Sequence, residues 1–99
     1  MQLEVTHAHF IGDYKVLLKF SNGMEGTADL APFILNEAPP PFAPLRDVRA
    51  FADFAVAHGT LTWPNDLDLA AEYLFFTAFK GHQEFQHQFV SWGYITPTT

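Results

Sequence analysis

The chain contains no cysteine. Disulfides, thiolate nucleophiles and zinc–thiolate centres are therefore excluded, which fits a reducing compartment. Basic residues are scarce: Lys15, Lys19, Arg46, Arg49 and Lys80 stand against eleven acidic residues, for a formal net charge of -6. Nucleic-acid binding needs clustered Lys and Arg to neutralise phosphates, so no direct nucleic-acid partner is expected. No apolar run approaches the roughly 20 residues of a membrane helix, and no membrane association is expected. Met1-Gln2-Leu3-Glu4 has neither the basic nor the apolar region of a secretion signal, so a cytoplasmic location is expected. The sequence also lacks a glycine-rich phosphate loop and a G-x-S-x-G elbow. No catalysis and no cofactor are expected.

What the chain has in quantity is aromatic residues: eleven Phe, three Tyr and two Trp in 99 residues. Rings bury large areas and can stabilise a small core. A chain this short can also hold more of them than it hides, and the remainder forms a sticky patch.

Hydrophobic periodicity places the elements. Leu3 to Phe10 alternates, with Leu3, Val5, His7 and His9 on one face, and reads as a strand. Ile11-Gly12-Asp13 is a turn, and Tyr14 to Phe20 a second strand. Ser21-Asn22-Gly23 signals a hairpin into a third strand, Met24 to Leu30. Pro32 to Leu35 can form one helical turn, and proline-rich Asn36 to Pro44 reads as an extended loop. A short helix is expected over Asp47 to Phe54, then a second hairpin around His58-Gly59. The strand carrying Trp63 stops at Pro64, Asn65-Asp66 turns the chain, and a helix runs from an Asp68 cap to Lys80, with Leu69, Tyr73, Phe76 and Phe79 or Lys80 aligned. Phe85, Phe89 and Trp92 at i, i+4 and i+7 suggest a last helix to about Ser91. The expected fold is α+β, a small antiparallel sheet (meander plus second hairpin) packed with two to three short helices. Residues 1–80 form one domain and 81–99 an aromatic, helical extension. The expected core is Leu18, Phe20, Leu30, Phe51, Phe54, Val56, Leu61, Trp63, Leu69, Tyr73 and Leu74.

Three groups are candidates for chemistry, each with a plainer explanation. His7 and His9, two apart on a strand, could ligate a metal, but nothing in the spacing supplies a third ligand. Asp66 and Asp68 beside Trp63 could form a ligand-binding pocket, but a turn, a helix cap and a core indole account for them better. His82 and His87, five apart, fall on different helix faces. Pro41 and Pro44 form a P-x-x-P spacing, better read as a structured loop within one domain.

Several of these stretches occur in an order that resembles a family of small bacterial domains, the domain of unknown function 2442. They are Ser21-Asn22-Gly23, Gly26-Thr27-Ala28-Asp29-Leu30, Pro44-Leu45-Arg46-Asp47 with Phe51, and Trp63-Pro64-Asn65-Asp66-Leu67-Asp68-Leu69 followed by Glu72-Tyr73-Leu74. Residues of about 3–75 are covered. Asp66 stands where the family pattern has Gly, and Ala71 where it has Pro. The resemblance implies an antiparallel sheet with one or two packed helices, and no activity. It also implies interaction or regulation, since some members are encoded in toxin–antitoxin-like pairs.

The functional expectation is a self-associating or protein-binding module. Its interface would be Phe79, Phe85, Phe89 and Trp92, in or next to a tail lacking enough domain to bury them. The expected partner is a second copy in a homodimer, or a small protein encoded nearby. A tail folded back on its own sheet would remove the motive for the dimer. The alternative is a small-molecule or metal-binding protein or enzyme using a pocket near Trp63, Asp66 and Asp68.

Overall fold

The computed structural model describes residues 2–96. Two three-stranded antiparallel sheets and three short helices make an α+β fold. The first sheet is a meander of β1 (Val5–Gly12), β2 (Lys15–Phe20) and β3 (Glu25–Asp29). The second is β4 (Ala55–Ala57), β5 (Thr60–Trp63) and β6 (Leu67–Leu69). The helices are α1 (Val48–Ala52), α2 (Ala71–Phe79) and α3 (Gln86–Trp92).

Register explains which side chains reach the core. Val16, Leu18 and Phe20 of β2 are buried, and their partners Phe10, Ala8 and Val5 on β1 lie on the same face. The register shifts between Val5 and His7, a bulge that sends Val5 inward and His7 and His9 to solvent. Simple alternation had put Val5 and His7 on one face. The β1–β2 turn is also one residue later than the sequence suggested. Gly12 pairs with Lys15, and Asp13 and Tyr14 both take left-handed backbone angles. The Tyr14 ring is thereby delivered to Phe51, with centroids 5.2 Å apart, and its hydroxyl donates to the Arg46 carbonyl.

A helical turn follows Pro32 as expected, while the proline run after it is coiled where an extended loop was expected. A π-helical turn covers Phe33–Glu37 and a 3-10 helix covers Pro40–Arg46. Proline's fixed φ suits both polyproline and a 3-10 turn, and here ring packing decides: Phe33 meets Phe42 edge-on at 5.6 Å. Asp47 then caps α1, its Oδ1 accepting from the Arg49 amide at 3.0 Å.

The second sheet joins the first where the Val5 amide donates to the Gly59 carbonyl at 2.8 Å. Its β4–β5 hairpin turns through His58 and Gly59, both at positive φ, as their sequence suggests. The next stretch differs from expectation. Asp68 is a strand residue paired with Thr62, and it does not cap α2. The helix starts at Ala71 behind Ala70, with no side-chain cap. Three residues too short to stand alone become a strand because β5 offers them a ladder.

One core runs through both sheets and all three helices. Most expected members are there, but Val56 is 39% exposed on strand β4, and Phe54 and Tyr73 are half-buried. The buried side of α2 is Ala71, Leu74, Phe75 and Phe79, a phase rotated from the expected stripe. Tyr73 and Phe76 instead meet the C-terminal segment, whose Tyr94 lies 5.7 and 5.1 Å from them. The helix is apolar almost all round because it is covered on two sides.

Candidate binding groove

The layer order at this end of the molecule is first sheet, α2, α3. Phe20 of β2 meets Phe75 of α2 edge-on at 5.0 Å and Phe79 at 6.0 Å. Gly26 of β3 makes that approach possible, since a Cβ there would come within 2.8 Å of the Phe79 ring. After Lys80 the chain reverses. The Gln86 side-chain amide ties the reversal by donating to the Lys80 and His82 carbonyls at 3.0 and 2.9 Å. α3 then lies on α2, with Phe89 against Phe76 at 5.1 Å and Phe75 at 6.3 Å. Gly93, at φ 86°, ends α3 in the left-handed conformation that favours glycine, and the Tyr94 amide donates back to Phe89 at 3.0 Å.

This arrangement settles the tail's aromatic residues differently from expectation. Phe79 and Phe89, assigned from sequence to an interface, are 3% and 0% exposed and belong to the chain's own core. The tail therefore has a domain to pack on, and the original motive for a homodimer is gone. Phe85 and Trp92 remain half-buried, flanking Phe75 at 5.0 and 6.2 Å.

Between them and the N-terminal segment opens a groove of about 520 Å³. Phe75 is its floor, and Leu3, Phe85 and Trp92 are its apolar walls. Gln2, Ser21, Asn22 and Gln88 give it a neutral polar rim. Ser21 is fixed there by accepting from the Glu4 amide at 3.0 Å, and Asn22 by accepting from Met24 at 3.0 Å. Glu72 is the single charged lining residue, half-buried and with no ion-pair partner among the described residues. A wider hollow of about 990 Å³ behind α3 has no Phe, Tyr or Trp in its lining.

Two phenols report on the field nearby. The Tyr94 hydroxyl is pushed above its ordinary value, first by burial and then by the Glu72 charge. Tyr73 is raised mainly by burial and next by the Glu37 charge, while a hydrogen bond with Thr77 works the other way.

The other expected sites are not assembled. Trp63 is 4% exposed, and its indole N–H donates to the Phe51 carbonyl at 2.8 Å, so it is a core residue with its polar atom satisfied. Trp63 pairs with Leu67 and Asp68 with Thr62, which puts Trp63 and Asp68 on opposite faces of the second sheet. Asp66 is exposed in the turn between. His7 and His9 are exposed on the outer face of β1 beside Leu17, Lys19 and Glu25, over a hollow of about 250 Å³. Among the described residues no group of three or more His, Asp or Glu could hold a metal ion.

Sequence reasoning missed Leu3, Ser21, Asn22, Glu72 and Gln88 as neighbours of Phe85 and Trp92. Phe85, Gln88 and Trp92 share the i, i+3, i+7 spacing of one helix face, a signal that could have added Gln88. Nothing local joins that face to Leu3 or Ser21.

No curated protein and no solved structure matches the chain. No helix among the described residues is long and apolar enough to cross a membrane. A family described as a protein of unknown function, DUF2442, matches residues 5–80. The groove thus spans the seam between that matched part, which supplies Ser21, Asn22, Glu72 and Phe75, and the segment after it, which supplies Phe85, Gln88 and Trp92. With its meander, second hairpin and α2 inside the matched residues, the chain belongs to the DUF2442 family.

Proposed function

We propose that this chain is a protein-interaction module that docks a partner in the groove between α2, α3 and the N-terminal segment. The supporting observation is the pair of half-buried rings, Phe85 and Trp92, held on either side of a buried Phe75 floor. Aromatic anchors beside a concave, neutral-rimmed surface are the residues that carry most binding energy at protein interfaces. The lining offers amides, one hydroxyl and one carboxylate, a set suited to recognition, and no catalytic role is assigned to it.

The proposed partner is a small protein encoded nearby, as in toxin–antitoxin-like pairs, and a second copy of the chain is the other outcome of the test. Photo-crosslinking decides. A photoreactive residue replaces Gln88 at the rim or Thr27 on the outer face of β3, and the full chain is irradiated in its native host. An adduct formed from position 88 and not from 27 is expected, and mass spectrometry identifies it as a second copy or a different protein. Equal labelling from both positions, or none from 88, overturns the reading.

A further inference from the structure

We infer that the groove recognises an arginine side chain presented by its partner protein, stacked on Trp92 and paired with Glu72. The inference rests on the docking reading above and adds the chemistry of the ligand. Three observations carry it. First, the half-buried rings of Phe85 and Trp92 flank one hollow over the buried Phe75, and aromatic faces attract cations. Second, Glu72 brings the only charge in the lining, and it has no ion-pair partner among the described residues. A half-buried carboxylate without a partner favours an incoming cation. Third, no Lys or Arg lines the groove, and the chain as a whole carries -6, so nothing there repels a basic segment and the overall field attracts one. The Tyr94 phenol is raised first by burial and second by the Glu72 charge, and its ring centroid lies 6.2 Å from that of Trp92.

Arginine fits better than lysine on physical grounds. Its planar guanidinium stacks on an indole, forks onto a carboxylate, and is more weakly hydrated than an ammonium. The side-chain carbonyl of Gln88 offers an acceptor for its remaining N–H groups, and that of Asn22, which accepts from the Met24 amide, has a second lone pair. At about 520 Å³ the groove is roomier than one side chain needs, and its Leu3 end suits an apolar neighbour of that arginine in the same segment.

The probe is N-acetyl-arginine methylamide, titrated into the isotope-labelled full chain and followed by amide and indole NMR. The matching lysine and citrulline compounds are run beside it. Arginine is expected to shift the Trp92 indole and the Phe85 and Gln88 amides, lysine less, and neutral citrulline least. Glu72→Gln and Trp92→Leu are each expected to weaken arginine binding about tenfold, with the rest of the spectrum unchanged. Citrulline acting as well as arginine, or arginine binding that survives Glu72→Gln, overturns the inference. If arginine moves no groove resonance while the residue-88 crosslinker still captures a partner, the cation falls and the docking reading stands.

Discussion

Trp63 and Trp92 are the same residue under two regimes. Trp63 lies between the second sheet and α1, its ring 5.8 Å from Phe51 and its N–H bonded to that residue's carbonyl. Trp92 lies on α3 against Phe75, Phe89 and Tyr94, half-buried, and lines the groove. The first region uses an aromatic residue to close a core and leaves it no freedom to bind anything. The second uses it as a wall. Trp63 in the family-like motif is packed into the core, and the half-buried rings Phe85 and Trp92 lie where the C-terminal segment meets the matched residues.

The strongest way to break this contrast is to test whether the tail is core at all. Trp63→Ala and Phe89→Ala should each lose about 3–5 kcal/mol in urea unfolding, because both remove fully packed rings. A Phe89→Ala loss below about 1 kcal/mol would mean that α3 does not pack as described, and the groove would lose a wall.

Trp92→Ala should lose about 2 kcal/mol, less than Trp63→Ala because part of the ring's surface is already in water. The same variant should abolish crosslinking from position 88. A loss as large as that of Trp63→Ala would erase the distinction between the two sites.

A smaller effect concerns the aromatic layer around Trp92. Tyr73 and Tyr94 hold their protons more tightly folded than unfolded. Their contribution is complete below the ordinary tyrosine value of 10.0 and is lost as pH rises past it. Thermal melts through that range should show Tm falling, and falling less in Tyr94→Phe. An unchanged slope in that variant would separate Tyr94 from the layer.

The smallest effect belongs to the hairpin beside Trp63. Asn65 and Asp66 both have positive φ, 68° and 62°, and Asp66 lacks glycine's freedom there. Asp66→Gly should raise stability by about 0.5 kcal/mol, a part of the left-handed cost being offset by unfolded-state entropy. Denaturant midpoints measure it, and a loss would mean that the Asp66 side chain contributes something in the turn.

The contrast between the regions also tracks what could be read in the residues. Asn22-Gly23 and His58-Gly59 announce their hairpins because few residues accept positive φ. Phe85, Phe89 and Trp92 announce a helix by spacing, and the helix is there. Leu67-Asp68-Leu69 was misread as a helix start, because three residues carry too little periodicity to distinguish a strand from a cap. Val5 and His7 were put on one face because a bulge leaves no mark in an alternating pattern. Of the groove, Phe85 and Trp92 were legible as surplus aromatics, while Leu3, Ser21 and Glu72 were not.

The amino-acid sequence by itself determined the hairpins, the strand-rich first half, the helix-rich end and the family, because turn preferences and hydrophobic spacing act over a few neighbouring residues. It also supplied more rings than one sheet can cover. Which rings became core and which became surface was decided only by the tertiary structure. Phe89 is buried and Trp92 is not because α3 lands on α2 in one orientation, fixed by the Gln86 tie and the Gly93 stop. Such contacts join residues distant in the chain, and no local pattern encodes them.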